Sequence, residues 1–299
     1  MADMNQFEEV AGGLLVRAPA KINLSLLIAG KRPDGYHEIE TLMAKVDYYD
    51  ELFFESARRE GIELVCEGRY WVPEGRENLV WRACRALLDV AGLEIGVRVT
   101  LHKNIPAGSG LGSGSSDAAA ALMGLNRFAN IGANLEQIYA AACTLGSDVP
   151  FFLTGPLAFC TGRGEKIEAV ENFFPFKAVL ALPDVSVQTK KVYDNYIHHQ
   201  GEYDKLRETI NSRLSKKRID SVVQMCANML ETSCFELHPE LLRLKRALEA
   251  QGVGPVMLSG SGSAMFCMVT SADSDTGCCQ SMLSDSFGCE SVVVNNNRW

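Results

Sequence analysis

The sequence predicts an α+β protein built as two units, and three observations carry that reading. Near the N-terminus, LLVRAPAKINLSLLIAG and YHEIETLMAKVDYYDELFFE alternate with a period of two, the mark of strands. In the middle, the strand pattern GVRVTLHKN runs into the glycine loop IPAGSGLGSGSSDAAAAL and from there into a helix. After Glu171, NFFPFKAVLALPD reads as a linker into a fresh strand, and helical stretches then alternate with the short apolar strands PVMLS and AMFCMV. The expected division is residues 1–170 and 171–299.

Taken in order, the first strand places Lys21, Asn23 and Ser25 on one face and Ile22, Leu24 and Leu26 on the other. Pro33, Asp34 and Gly35 make a turn, which leaves Tyr36 and His37 at the start of the next strand. NLVWRACRALLDVAG has helical spacing from near Asn78 and a stop at Gly92. A capped, alanine-rich helix is expected from near Ser115 or Ser116. NLEQIYAAACTLG is a second amphipathic helix, closed by Gly146, that delivers the chain into SDVPFFLTG. In the second unit helices are expected near 202–213, 218–231 and 239–251, with the glycine-rich LSGSGSAMF between strands.

Composition narrows the function. Of 299 residues 47% are apolar, enough for a sizeable core, and the formal net charge is -8. That balance argues against a general nucleic-acid binder, which needs basic stripes. The one basic run, Lys216-Lys217-Arg218, reads as a solvated helix face. MADMNQFEEV lacks the basic flank and apolar core of a signal peptide, and no apolar run reaches the roughly 18 residues of a membrane span. The ten cysteines form no CxxC pair and lie mostly among apolar neighbours, so they read as reduced core residues of a cytoplasmic protein.

The glycine loop carries the clearest chemistry. Glycines let backbone N–H groups approach a ligand, and the following helix adds unpaired donors and the positive end of its dipole, a setting suited to phosphate. A Walker loop needs a lysine at the helix start, and none is there. A dinucleotide fingerprint needs a third glycine where Ser113 stands. What remains is a lysine-free cradle over Pro106, Ala107, Gly108, Ser109, Gly110, Leu111, Gly112, Ser113 and Gly114, with Ser115 and Ser116 placed to help with a phosphate or its Mg²⁺. Asp117 in the first turn suits the helix dipole as well as it suits a metal.

Asp148 leads into an apolar segment and so needs a partner, which Lys21 can supply. Such a pair can orient a hydroxyl and accept its proton, or it can be a structural ion pair; spacing leaves both open. Tyr36, His37 and Tyr193 are residues that could clamp a flat ring. LSGSGSAMF reads equally as a plain β-turn, as a buttress for the phosphate loop, or as a substrate contact.

Together, PAKINLSL, IPAGSGLGSGSSDAAAAL and LSGSGSAMF resemble, in order and composition, the three motifs of the GHMP kinases. PAKINLSLLIAGKRPDGYHEIETLM and LGSDVPFFLTGPLAFCTGRGEKIE resemble the branch of that superfamily acting on 4-diphosphocytidyl-2-C-methyl-D-erythritol in non-mevalonate isoprenoid synthesis. The resemblance spans about Val16 to Val269. It implies a ribosomal-S5-domain-2-like ATP-binding unit followed by a ferredoxin-like unit that contributes to substrate binding. It implies ATP and Mg²⁺, with the phosphates over Gly108 to Ser116 and the adenine near Asn78 and Leu79. Asp148 would be the base for the substrate's 2-hydroxyl, and Lys21 its partner. Asn23 would contact substrate, Tyr36 and Tyr193 would stack on the cytosine, His37 would read its edge, and Thr189 would line the pocket. The partner is then a small molecule, with neither nucleic acid nor membrane, acted on by a monomer or homodimer. A mevalonate- or homoserine-type kinase, or a silent nucleotide-binding protein of the same fold, are the alternatives.

Overall fold

In the computed structural model, which describes residues 5–170, 175–214, 221–250, 254–269 and 276–299, the first sheet grows around one long hairpin. The short strand β1 (Phe7–Val10) pairs with β2 (Gly13–Lys31), and β2 pairs antiparallel with β3 (His37–Ser56). The expected turn joins them, with Gly35 at φ 86°. Next come β4 (Gly61–Gly68), α1 (Leu79–Ala91) and β5 (Gly96–Lys103); the intervening helix lets β4 and β5 run parallel. The C-terminal half of β3 pairs with β5. Then follow α2 (Ser113–Phe128), α3 (Leu135–Leu145), a 3-10 turn (Pro150–Leu153), β6 (Leu157–Gly162) and β7 (Lys166–Ala169). β6 pairs with the N-terminal half of β3, so one strand spans two neighbours.

The second unit opens with β8 (Lys177–Leu182), α4 (Thr189–Asp194), α5 (Gln200–Leu214), α6 (Ser221–Met225) and β9 (Ala227–Asn228). It continues through α7 (Glu231–Leu237), α8 (Pro239–Glu249), β10 (Val256–Leu258), β11 (Met265–Met268), α9 (Thr276–Phe287) and β12 (Glu290–Asn295). Its sheet is antiparallel, ordered β10-β11-β8-β12. Helices separate its first strand from its second and its third from its fourth, which is the ferredoxin-like arrangement.

Local chemistry explains the helix limits. Asn78 caps α1 by accepting from the Val80 N–H at 2.8 Å, and Gly92 closes it in the left-handed region. Asn134 and Gln137 form a capping box on α3. The alanines of α2 are buried, and its Gly124 lies so close to Phe54 that a Cβ there would come within 2.5 Å of the ring. Small residues thus let α2 lie tightly on the hairpin, beside Leu87, Val99 and Leu122 in one core. Each buried leucine contributes about 1.5–3 kcal/mol there.

The structure corrects four expectations. First, α2 starts at Ser113, two residues early, because left-handed Gly112 breaks the preceding backbone there. Second, no side chain caps that helix. Third, the alternation in β2 is interrupted by a register shift between Asn23 and Ser25, so Ser25 does not simply continue the Lys21–Asn23 phase. Fourth, the helix expected over 218–231 is, among the described residues, only Ser221–Met225; Ala227–Asn228 instead pairs parallel with β2. Lys216-Lys217-Arg218 and part of the expected linker lie outside the described residues. Cys84, Cys160, Cys234, Cys267, Cys279 and Cys289 are buried, while Cys143 and Cys278 are exposed. Among the described residues no helix is long and apolar enough to cross a membrane.

Candidate active site

The glycine loop is pressed between two neighbours. Gly110 and Gly112 sit at φ 82° and 70°, a region that disfavours side chains. A Cβ on Gly110 would overlap the carbonyl oxygen of Ser259, and one on Gly112 would come within 2.9 Å of both Lys21 and Phe152. The loop therefore touches the second glycine loop on one side and the Lys21 strand on the other. Because no side chain caps α2, the N–H groups of its first turn are left for a ligand.

The serines of this segment divide into two groups. Ser109 and Ser113 are buried and turned inward: Ser109 Oγ donates to the Pro106 carbonyl at 2.8 Å, and Ser113 Oγ donates to Asp50 Oδ2 at 3.0 Å. Their side chains are structural, so these positions have only backbone to offer a phosphate. Ser116 Oγ, by contrast, is buried without a partner, as is Asp117 Oδ1, while Ser115 is half-buried. At the start of α1, Asn78 is buried, and beyond its cap it donates from Nδ2 to the Pro73 carbonyl at 2.8 Å. Leu79 lies against the start of α2, with Cδ1 3.6 Å from where a Gly114 Cβ would stand.

Beneath the loop lies a buried ion cluster that the sequence reading did not identify. Lys103 Nζ donates to Asp50 Oδ2, to Ser113 Oγ, and to Asp117 Oδ2 at 2.7 Å. Asp50 Oδ1 accepts from the Asn104 and Ile105 N–H groups at 2.6 and 2.8 Å, fixing the start of the loop. Burial pulls the Lys103 amine down, but Asp117 and Asp50 outweigh it and its pKa is raised. Burial, then repulsion from Asp50, holds the Asp117 carboxyl well above the usual range despite Lys103. A signal was present: Lys103 is in phase with Val97, Val99 and Leu101, and Asp50 with Leu52 and Phe54. A charge on an apolar face demands a buried partner.

Lys21 is 4% exposed and donates to Asn23 Oδ1 at 2.5 Å. Asn23 Nδ2 in turn donates to Thr41 Oγ1 at 2.8 Å, so both ends of this amide are engaged. Asp148, half-buried, lies close enough to Lys21 to oppose the depression of its pKa by burial, yet the two form no direct ion pair among the described residues. A gap is thus left between amine and carboxylate. In β3, Lys45 is 2% exposed and donates to the Phe152 and Thr154 carbonyls at 3.1 and 2.7 Å. It pins the segment following Asp148 to β3.

The aromatic residues gather around His37. Its ring centroid is 5.4 Å from that of Tyr193 and 5.9 Å from that of Tyr196, a residue the sequence reading did not single out. Burial, aided by the charge of Asp148, raises the Tyr193 hydroxyl pKa, which ties this cluster to the carboxylate. Burial and Lys31 lower the pKa of His37. Tyr36 is 57% exposed and faces the Arg163 guanidinium, 4.9 Å from the ring centroid, rather than Tyr193. Thr189 Oγ1 lies 2.8 Å from Ser261 Oγ and joins α4 to the second glycine loop.

That second loop is a buttress. Ser259 Oγ donates to the Gly110 carbonyl at 3.0 Å, and the Ala264 N–H donates to the Ser109 carbonyl at 2.9 Å. Asn228 holds it from below, donating to the Leu258 and Gly260 carbonyls at 2.8 and 2.7 Å. This explains the broken helix: Asn228 is drawn into β9 beside β2, where it supports the loop.

Comparisons with known proteins show the family. The chain matches the GHMP kinases N terminal domain over residues 78–156 and the GHMP kinases C terminal domain over 211–278. It is 37% identical over 273 residues to the 4-diphosphocytidyl-2-C-methyl-D-erythritol kinase of Geobacter metallireducens, covering 91% of this chain and 95% of that one. It is 40% identical to that of Bacillus cereus over 259 residues, covering 86% and 88%. A crystal structure of 4-(cytidine 5'-diphospho)-2C-methyl-D-erythritol kinase superposes with a TM-score of 0.77 at 34% identity, covering 95% of this chain and all of that one. The homoserine kinase of Cytophaga hutchinsonii, at 20% identity and a TM-score of 0.75 over 99% and 98% of the two chains, shares the fold. With this likeness over nearly its full length, the chain belongs to the 4-diphosphocytidyl-2-C-methyl-D-erythritol kinases of the GHMP kinase family.

Proposed function

We propose that the chain transfers the γ-phosphoryl group of ATP to the 2-hydroxyl of 4-diphosphocytidyl-2-C-methyl-D-erythritol. The observation that carries this reading is the gap between Lys21 and Asp148 at the end of the glycine loop, where Gly112 abuts Lys21. Asp148 takes the hydroxyl proton as the oxygen attacks the γ-phosphorus; the new O–P bond forms, the bond to the β-phosphate oxygen breaks, and ADP leaves. Lys21, held by Asn23, stabilises charge on the transferring group. Backbone N–H groups of the loop and the uncapped start of α2 bind the phosphates, with Leu79 beside the adenine. Tyr36, Tyr193 and His37 take the cytosine, and Thr189 lines that pocket.

The oxygen donors at the start of α2 fit Mg²⁺, which binds few protein oxygens and completes its shell with phosphate and water. Ser116 Oγ, buried without a partner, is the favoured ligand, with Asp117 Oδ1 nearby in sequence. The ion would neutralise charge on the ATP phosphates. Asn23 acts by positioning Lys21, since its side chain is already occupied.

The test is ATP consumption with the cytidylyl ester, mevalonate and homoserine offered in parallel. Turnover with the first substrate alone is expected; preference for either of the others would replace this assignment. Asp148→Asn should keep its melting temperature and lose turnover by about a hundredfold or more. Turnover near that of the unmodified chain would remove Asp148 as the base.

A further inference from the structure

The proposed acceptor has three chemical parts: a flat base, a polyol, and an anionic diphosphate between them. The residues considered so far serve the first and the last of its ends, with Tyr36 at the base and Asp148 at the hydroxyl. We propose that Arg163 binds the diphosphate; this rests on the function proposed above.

Arg163 sits in the tight turn TGRGEK between β6 and β7, with Gly162 and Gly164 at φ 77° and 108°. The Gly164 N–H donates to the Thr161 carbonyl at 3.1 Å, and the Arg163 N–H donates to Glu165 Oε2 at 2.5 Å, so the turn backbone is fixed. Two contacts locate it between the ends of the substrate. Gly164, one residue on, approaches Asp148 so closely that a Cβ would stand 3.5 Å from Oδ1. In the other direction the Arg163 guanidinium lies 4.9 Å from the Tyr36 ring centroid. Two adjacent residues of this turn thus reach from the neighbourhood of the proton acceptor to the ring expected to stack on the base.

The donors of Arg163 are unused among the described residues, although its charge reaches Asp34 and Glu165 and helps to hold both carboxyls low. The side chain is exposed, and among the described residues the guanidinium has no hydrogen bond and no ion pair within 4 Å. Nearby Arg32 shows the contrast: Asp34 and Glu38 hold it at 3.1 and 2.5 Å. A guanidinium held over an aromatic face, with its donor fork unused, suits two adjacent phosphate oxygens.

Binding of cytidine, CMP and CDP, measured by calorimetry with the phosphate loop saturated by a non-hydrolysable ATP analogue and Mg²⁺, tests this. The unmodified chain should bind CDP more tightly than cytidine. Arg163→Ala should erase about tenfold of that advantage while cytidine affinity stays within about twofold, and Arg163→Lys should keep part of it. Equal weakening of cytidine and CDP would overturn the proposal, because Arg163 would then only prop Tyr36. An unchanged CDP advantage in Arg163→Ala would overturn it as well and move the anion site elsewhere, with the proposed acceptor intact. If the unmodified chain does not prefer CDP to cytidine and does not turn over the cytidylyl ester, the function proposed above falls, and Arg163's role with it.

Discussion

Lys103 and Lys45 are both buried lysines that tie a working segment to the same sheet, but they are satisfied in opposite ways. Lys103 lies among charges, with Asp50 and Asp117 on its amine, and secures the start of the glycine loop and of α2. Lys45 meets two backbone carbonyls and secures the segment after Asp148. The electrostatic outcome follows: the Lys103 pKa is raised, whereas burial lowers that of Lys45 to about 7. One anchor is a charged cluster that cannot lose a member; the other can work as a neutral amine, which still donates hydrogen bonds.

The largest effect that would break this contrast is in Lys103→Met. It leaves Asp50 and Asp117 buried without their cation, and the expected loss of stability is about 3–5 kcal/mol, read by urea unfolding. The raised pKa of Asp117 lets that carboxyl take up a proton, so the loss should be smaller at lower pH. A loss no larger than that of Lys45→Met would show that the cluster is not an anchor.

Lys45→Met removes the donor to two carbonyls but also a buried amine, so a smaller loss of under about 2 kcal/mol is expected. Its turnover should fall by about tenfold through misplacement of Asp148.

The pH dependence of stability sharpens the comparison further. Between about 7 and the ordinary lysine value of 10.5, the unfolded chain holds a proton at Lys45 that the folded chain has released, so this group makes stability rise with pH across that window. Lys103 acts in the other direction. Its contribution is full below 10.5 and is lost only as pH rises through its higher folded value. Stability curves from pH 6 to about 10 should therefore lose this rise in Lys45→Met, whereas in Lys103→Met the deprotonation of buried Asp117 opposes it.

The smallest effect on stability belongs to Ser116→Ala, one helical turn beyond Ser113. Ser116 Oγ has no partner to lose, so stability should stay within about 0.5 kcal/mol, while calorimetric affinity for Mg²⁺·ATP should weaken. Unchanged affinity would remove Ser116 from the metal.

Much of the fold was legible because it is written in local patterns. Asn78 and Gly92 bound α1 as expected, and the Pro33-Asp34-Gly35 turn leads into β3 at His37. The start of α2 differs from the expectation near Ser115 or Ser116 because left-handed Gly112 sets the break. At the candidate site, the glycine loop and Lys21 were readable. Ser109 and Ser113 of that loop turn inward, because the Pro106 carbonyl engages one and the buried Lys103 cluster the other.

By itself the sequence determined most of the elements, the lysine-free glycine loop and the family resemblance, since period, capping and backbone freedom act over a few residues. Only the tertiary structure decided that Asp50 and Asp117 share Lys103, that Lys45 takes carbonyls, and that Arg163 stands between Tyr36 and the Asp148 segment. The physical reason is that a buried charge must find a partner, but strand register and loop packing determine which one it finds.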